Sequence, residues 1–236
     1  MGKEEVYSKE TFIAKKKTEY ADKKYHLRCM EALKKLDEPL EGWKCTEIYD
    51  VREDDEEAKL ETCMLCGCKR VRFVHRMEHD DSFFYLNVGC ICAGVMEGDI
   101  LAAAEREYEL YKRAQRRKYF LKKDWQWTPT HDYCIKYKGY RVYAYKRPCL
   151  PGDSLDAQSD RRTCYEVGFF MEGTVTEYCG KPIYDLKTAK YAAFNLIEKE
   201  RVKNESAKKK IDALSQPWQR SLRNSLRGSR KAAKGF

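Results

Sequence analysis

Two close cysteine pairs that bracket a short β-patterned segment limit what this chain can fold into more than any other feature. Cys63-Met-Leu-Cys66-Gly67 holds two thiols three residues apart, and Gly89-Cys90-Ile91-Cys92 returns two more. Between them VRFVHRM and SFFYLNV read as strands, separated by the turn-forming run Glu78, His79, Asp80 and Asp81. A hairpin of that length brings its open ends together, so thiols from both ends converge. The chain can turn between the two cysteines of a CxxC, which lets both face one ion, and Gly67 admits the positive φ that such a turn uses. Four sulfurs in one place suit tetrahedral Zn2+, whereas Ca2+ and Mg2+ require oxygen donors.

The predicted ligands of one structural Zn2+ are therefore Cys63, Cys66, Cys90 and Cys92. The second pair is C-x-C rather than CxxC, which ranks Cys90 below the other three and keeps His75, His79 and Cys68 as alternates. Two competing readings are buried thiols acting as small hydrophobes and a redox CxxC. Close pairs with adjacent glycines argue against the first, and the lack of a βαβ context around Cys63 argues against the second. The odd count of 11 cysteines and the absence of an export signal point to reduced thiols. Cys134, Cys149, Cys164 and Cys179 fall at equal intervals, but their surroundings differ, so they read as scattered strand and loop cysteines.

Knuckle, hairpin and cysteines entering a helix resemble the treble-clef group of zinc fingers. CMLCG, RFVHRMEH and VGCICAGVMEGD together also resemble an uncharacterised bacterial or phage-associated group that carries CxxCG, RxVHxMEH and VGCxCAGxMExD. That resemblance covers about residues 60 to 110; it implies the zinc module and implies no activity.

Around the module the pattern is α+β. Residues 8 to 36 read as one helix, with Ser8 as N-cap and Ile13, Tyr20, Leu27, Met30, Leu33 and Leu36 as its apolar side. An acidic connection with one short strand at 46 to 51 follows. Asp99 caps a helix over 100 to 123 that places Ile100, Ala104, Tyr108 and Tyr111 on one side. Residues 131 to 185 are rich in tyrosine and β-branched residues and read as a small antiparallel sheet, with Tyr137 and Tyr143 on one strand face. A helix from about Leu186 packs on it. Its AK-x-AA run resembles the last helix of double-stranded RNA-binding domains, but packing on the sheet is the better account of it. The expected divisions are an N-terminal helical region and acidic connection at 1–57, the zinc-stapled hairpin and helix at 58–128, a sheet-plus-helix domain at 129–205 and a basic tail at 206–236, an amphipathic helix if it folds.

Charge supplies the partner expectation. The net charge is +9, and from Arg201 to Phe236 eleven basic residues face only Glu205 and Asp212, so residues 1 to 200 sum to zero. A neutral body with a cationic arm suits phosphate backbones. The contacts expected are Arg113, Arg116, Arg117, Lys118, Lys122 and Lys123 on the long helix, and Arg220, Arg223, Arg227 and Arg230 in the tail. The alternative is a protein partner whose groove takes Trp218, Leu222 and Leu226, spaced four apart. No membrane span or secretory leader is visible, so a cytoplasmic location is expected. A nuclease of the HNH type would need a second His or Asn on the helix at 100 to 123, which has neither, and no nucleophile-base pair suggests another enzyme.

Overall fold

The computed structural model describes residues 7–129, 132–149, 163–170 and 173–232, and only the backbone of Lys23, Asp132 and 211–232. The chain divides into two units, Met1–Tyr119 and Phe120–Phe236.

The first unit contains α1 (Lys9–Ala21), α2 (Lys23–Lys35), β1 (Lys44–Asp50), β2 (Phe73–Glu78), β3 (Leu86–Val88), α3 (Cys90–Glu97) and most of α4 (Ile100–Leu121). Its three strands form one antiparallel sheet in the order β1-β2-β3. Two helices replace the single one expected over 8 to 36. Asp22 leaves the helical region (φ −70°, ψ 106°) and its carboxylate accepts from Lys24 N at 3.0 Å, so it ends one helix and caps the next. The break resets the helical phase: Leu27 is 60% exposed, while Cys29 and Leu33 are fully buried. Phe12 of α1 packs on Tyr108 and Tyr111 of α4, with ring centroids 5.4 and 5.3 Å away.

The hairpin is shorter on its return side than the sequence suggests. Phe83, Phe84 and Tyr85 lie outside β3 and are exposed, because pairing stops at Met77↔Leu86. Cys29, Leu33 and Trp43 share one core with Val74, Met77 and Val88, so the N-terminal helices and the hairpin are built on the same apolar interior. Gly94 allows α3 to lie against the start of α4: a Cβ there would sit 2.8 Å from Ile100 Cδ1 and 2.9 Å from Ile100 Cα.

The second unit has a five-stranded antiparallel sheet in the order β4 (Gln126–Thr128), β5 (Asp132–Tyr137), β6 (Tyr140–Pro148), β7 (Thr163–Phe169) and β8 (Thr174–Val175). A small pair, β9 (Glu177–Tyr178) and β10 (Lys181–Pro182), leads into α5 (Leu186–Ala232). Lys138 and Gly139, both at positive φ, make the tight turn between β5 and β6. That turn splits the segment read as one strand. Ile135 pairs with Val142 on the core face, so Tyr137 faces the core and Tyr143 the opposite side. Ala189, Ala192, Ala193 and Ile197 of α5 are buried in this core, the sheet-packing role. Helix α5 continues through the stretch expected to be a separate tail.

One pair departs from the expectation of reduced thiols: Cys149 and Cys164 are disulfide-bonded, with Cα atoms 5.2 Å apart. The β6-β7 register sets Cys164 opposite Arg147, and Cys149 follows just beyond the last residue of β6, so the bond runs diagonally at the end of this strand pair.

Candidate metal centres

The knuckle forms as its glycine implies. Gly67 has φ +69°, its N–H donates to Cys63 O at 3.1 Å, and Cys63 N donates to Cys68 O at 2.8 Å. Met64 N donates to Asn87 O at 3.0 Å and ties the knuckle to β3. Straight after β3, α3 begins at Cys90 behind the N-cap Gly89. The ligand atoms of Cys63, Cys66 and Cys92 lie within 4.8 Å of one another. They could hold a metal ion.

A fourth sulfur is present that the hairpin pattern does not announce. Cys29 of α2 is fully buried, and its thiol lies 3.9 Å from Cys92 O. It lies beside the group but is not one of the three residues whose ligand atoms all lie within 4.8 Å of one another. Hydrogen bonds from Cys66 and Cys92 favour the thiolate of Cys63 and hold its pKa far below the usual thiol range. The same sharing pushes Cys66 up, with Cys63 as its main cause, and pushes Cys92 up through Cys29, then Cys63 and Cys66. A divalent cation bound to these sulfurs would take the place of their thiol protons.

Cys90 is not in this group. Residues two apart on a helix point roughly 200° away from each other, so a C-x-C at a helix start cannot aim both thiols the same way. Cys90 instead meets His75 of β2 and Glu107 of α4; one ligand atom from each lies within 4.8 Å of the others, and all three residues are buried. Burial, then the Glu107 carboxylate, pushes the Cys90 thiol up. Burial pushes the His75 imidazole down, keeping it neutral. Lys16 Nζ lies 2.7 Å from Glu107 Oε1.

The other alternates lie elsewhere. His79 sits at the hairpin tip, with its ring centroid 5.5 Å from that of Trp43, and its Nδ1 accepts from Asp81 N at 3.0 Å. Cys68 is exposed and lines a cavity of about 470 Å³ together with Cys63, Cys66, Cys90, Cys92 and Glu107. Both groups of donors therefore open on one space.

No family model, characterised protein or solved structure matches the chain. What it can do has to be read from its own residues.

The cations expected on the long helix divide. Arg117 is 2% exposed and donates to Asp50 Oδ2 at 3.0 Å and Arg52 O at 2.6 Å, so it belongs to the interior rather than to a phosphate-binding face. Arg113 pairs with Glu53. Arg116 and Lys118 are half-buried, Lys118 beside Arg52, Glu56 and Arg72 in a small polar cavity. Lys122 and Lys123 are exposed, with Lys123 Nζ 6.0 Å from the Tyr137 ring centroid. The side chains of Arg220, Arg223, Arg227 and Arg230, and of Trp218, Leu222 and Leu226, lie outside the described residues. Among the described residues no helix is long and apolar enough to cross a membrane.

Proposed function

We propose that this is a structural zinc protein in which Cys63, Cys66 and Cys92, completed by Cys29, hold one Zn2+ in a treble-clef-like module. The observation that carries it is the approach of three sulfurs to within 4.8 Å of one another, with the Cys29 thiol against Cys92. An all-sulfur donor set favours Zn2+ over oxygen-seeking cations. Cys29 makes the ion more than a hairpin staple, because it cross-links α2 to the knuckle and to α3. Cys29 precedes Cys63 by 34 positions, so the bond closes a long stretch of chain and ties folding of the N-terminal helices to metal binding.

The zinc module then serves as a rigid body for a protein that associates with nucleic acid backbones through the basic half of α5, without strong sequence preference. Support comes from the charge distribution: ten basic residues fall between Arg201 and Ala232 against Glu205 and Asp212, on a helix that runs unbroken to Ala232. Binding to generic duplex DNA and to RNA, followed against salt, tests this. Each phosphate neutralised on duplex DNA steepens the dependence of log K on log salt by about 0.9. Replacing Arg220, Arg223, Arg227 and Arg230 by Gln should flatten that slope and weaken binding. No binding at low salt, or binding that the substitutions leave unchanged, contradicts the assignment.

A further inference from the structure

The cysteine cluster leaves one buried group of donors without a role. His75, Cys90 and Glu107 come from three different elements and are 0%, 3% and 7% exposed. His75 Nε2 lies 3.3 Å from Ala103 O. A carbonyl only accepts, so Nε2 carries the ring proton and Nδ1 presents a lone pair. That Nδ1 is buried and has no hydrogen-bond partner among the described residues. Native interiors rarely leave such an atom bare, because its lost solvation is not replaced.

We propose that His75 Nδ1, Cys90 Sγ and the Glu107 carboxylate form a second metal centre, separate from the cysteine cluster, that takes a borderline divalent cation such as Zn2+. The mixed nitrogen, sulfur and oxygen set is one Zn2+ accepts. A hydrogen bond from the far ring nitrogen to a backbone carbonyl is how metal-bound histidines are commonly oriented, and the Ala103 carbonyl supplies it. Binding exchanges the Cys90 thiol proton for the metal-sulfur bond and releases that proton to solvent. With the carboxylate and the new thiolate, the divalent ion forms a neutral set. The Lys16 ammonium, 2.7 Å from Glu107 Oε1, holds the carboxylate in place before the ion arrives.

Three protein ligands leave a fourth tetrahedral position. Cys90 and Glu107 both line the cavity of about 470 Å³, so that position can admit water or a small anionic or carbonyl ligand. The cysteine centre faces the same cavity, and a fourth sulfur from Cys29 would leave no such position there. The competing account is a Lys16–Glu107 ion pair beside a neutral histidine, with no metal.

Zinc counting on the full-length protein separates the two. After loading with Zn2+ and desalting, wild type should retain two ions per chain, and His75→Ala and Glu107→Gln one each. Cys63→Ser should lose the other ion. In Co2+-loaded protein, Glu107→Gln should change the visible bands of one of two cobalt populations. A wild type that retains a single ion, kept by His75→Ala and Glu107→Gln but lost by Cys63→Ser, overturns the second centre and leaves the first intact. Stepwise chelation of wild type guards against variants that do not fold: release in two phases supports the proposal, and release of one ion in one phase refutes it.

Discussion

Arg117 Nη2 donates to Asp50 Oδ2 at 3.0 Å, and the two side chains are only 2% and 4% exposed. Asp50 also takes both Arg72 donors, at 2.9 and 3.0 Å, so one carboxylate at the end of β1 gathers two guanidinium groups. Removing one partner of a buried ion pair costs about 3–5 kcal/mol, because a charge stays behind uncompensated. Arg117→Ala leaves Asp50 paired with Arg72, so it should lower unfolding stability in urea titrations by less than that amount, with nucleic acid binding by the folded protein unchanged. Unchanged stability together with weakened binding would return Arg117 to the phosphate-contacting set.

The same carboxylate predicts an acid limb. Burial raises the Asp50 pKa, but the Arg72 hydrogen bonds and charge, with help from Arg52 N and Arg117, outweigh it, and the net shift is downward. A depressed folded pKa contributes stability that is complete above the unfolded value of about 3.9 and is lost as pH falls through the folded value. Stability should thus drop more steeply below about pH 4 in wild type than in Asp50→Asn. Parallel acid limbs in the two proteins would show that Asp50 does not carry this linkage.

Gly94 predicts a packing effect on the metal ligands. Ala at this position would put Cβ within 3 Å of both Ile100 Cα and Cδ1, and Cα cannot rotate away. Gly94→Ala should cost about 1–3 kcal/mol and loosen zinc retention, since α3 carries Cys90 and Cys92. Thermal melts with and without added zinc measure both, and an unaltered melting temperature would refute the steric argument.

The knuckle, the hairpin and the helix after Asp99 could be read from the sequence because each has a local signal: Gly67 at positive φ, period-2 apolar residues, and a capping carboxylate that accepts from Ala102 N at 3.0 Å. Two donors could not be. Cys29 stands alone on a helix, and only the phase reset at Asp22 turns it inward with Leu33, so no spacing rule links it to Cys63. Glu107 lies amid many glutamates on α4 and gains significance only when β2 and α3 place His75 and Cys90 against it. Closeness in the chain groups Cys90 with Cys92, although helical geometry sends the two thiols to different groups of donors. Arg117 matched the other basic residues of its helix in every respect that composition records; the buried Asp50 sets it apart.

If one Zn2+ joins Cys29, Cys63, Cys66 and Cys92, the N-terminal helices should depend on it. Zinc content and amide exchange measured together on wild type, Cys29→Ser and Cys63→Ser test it most directly. Cys63→Ser should lose one zinc equivalent, Cys29→Ser should hold that ion more weakly, and both should lose protection across α2 and the β2-β3 hairpin. Wild-type protein that carries no zinc, or variants that keep full zinc content and full protection, would contradict it.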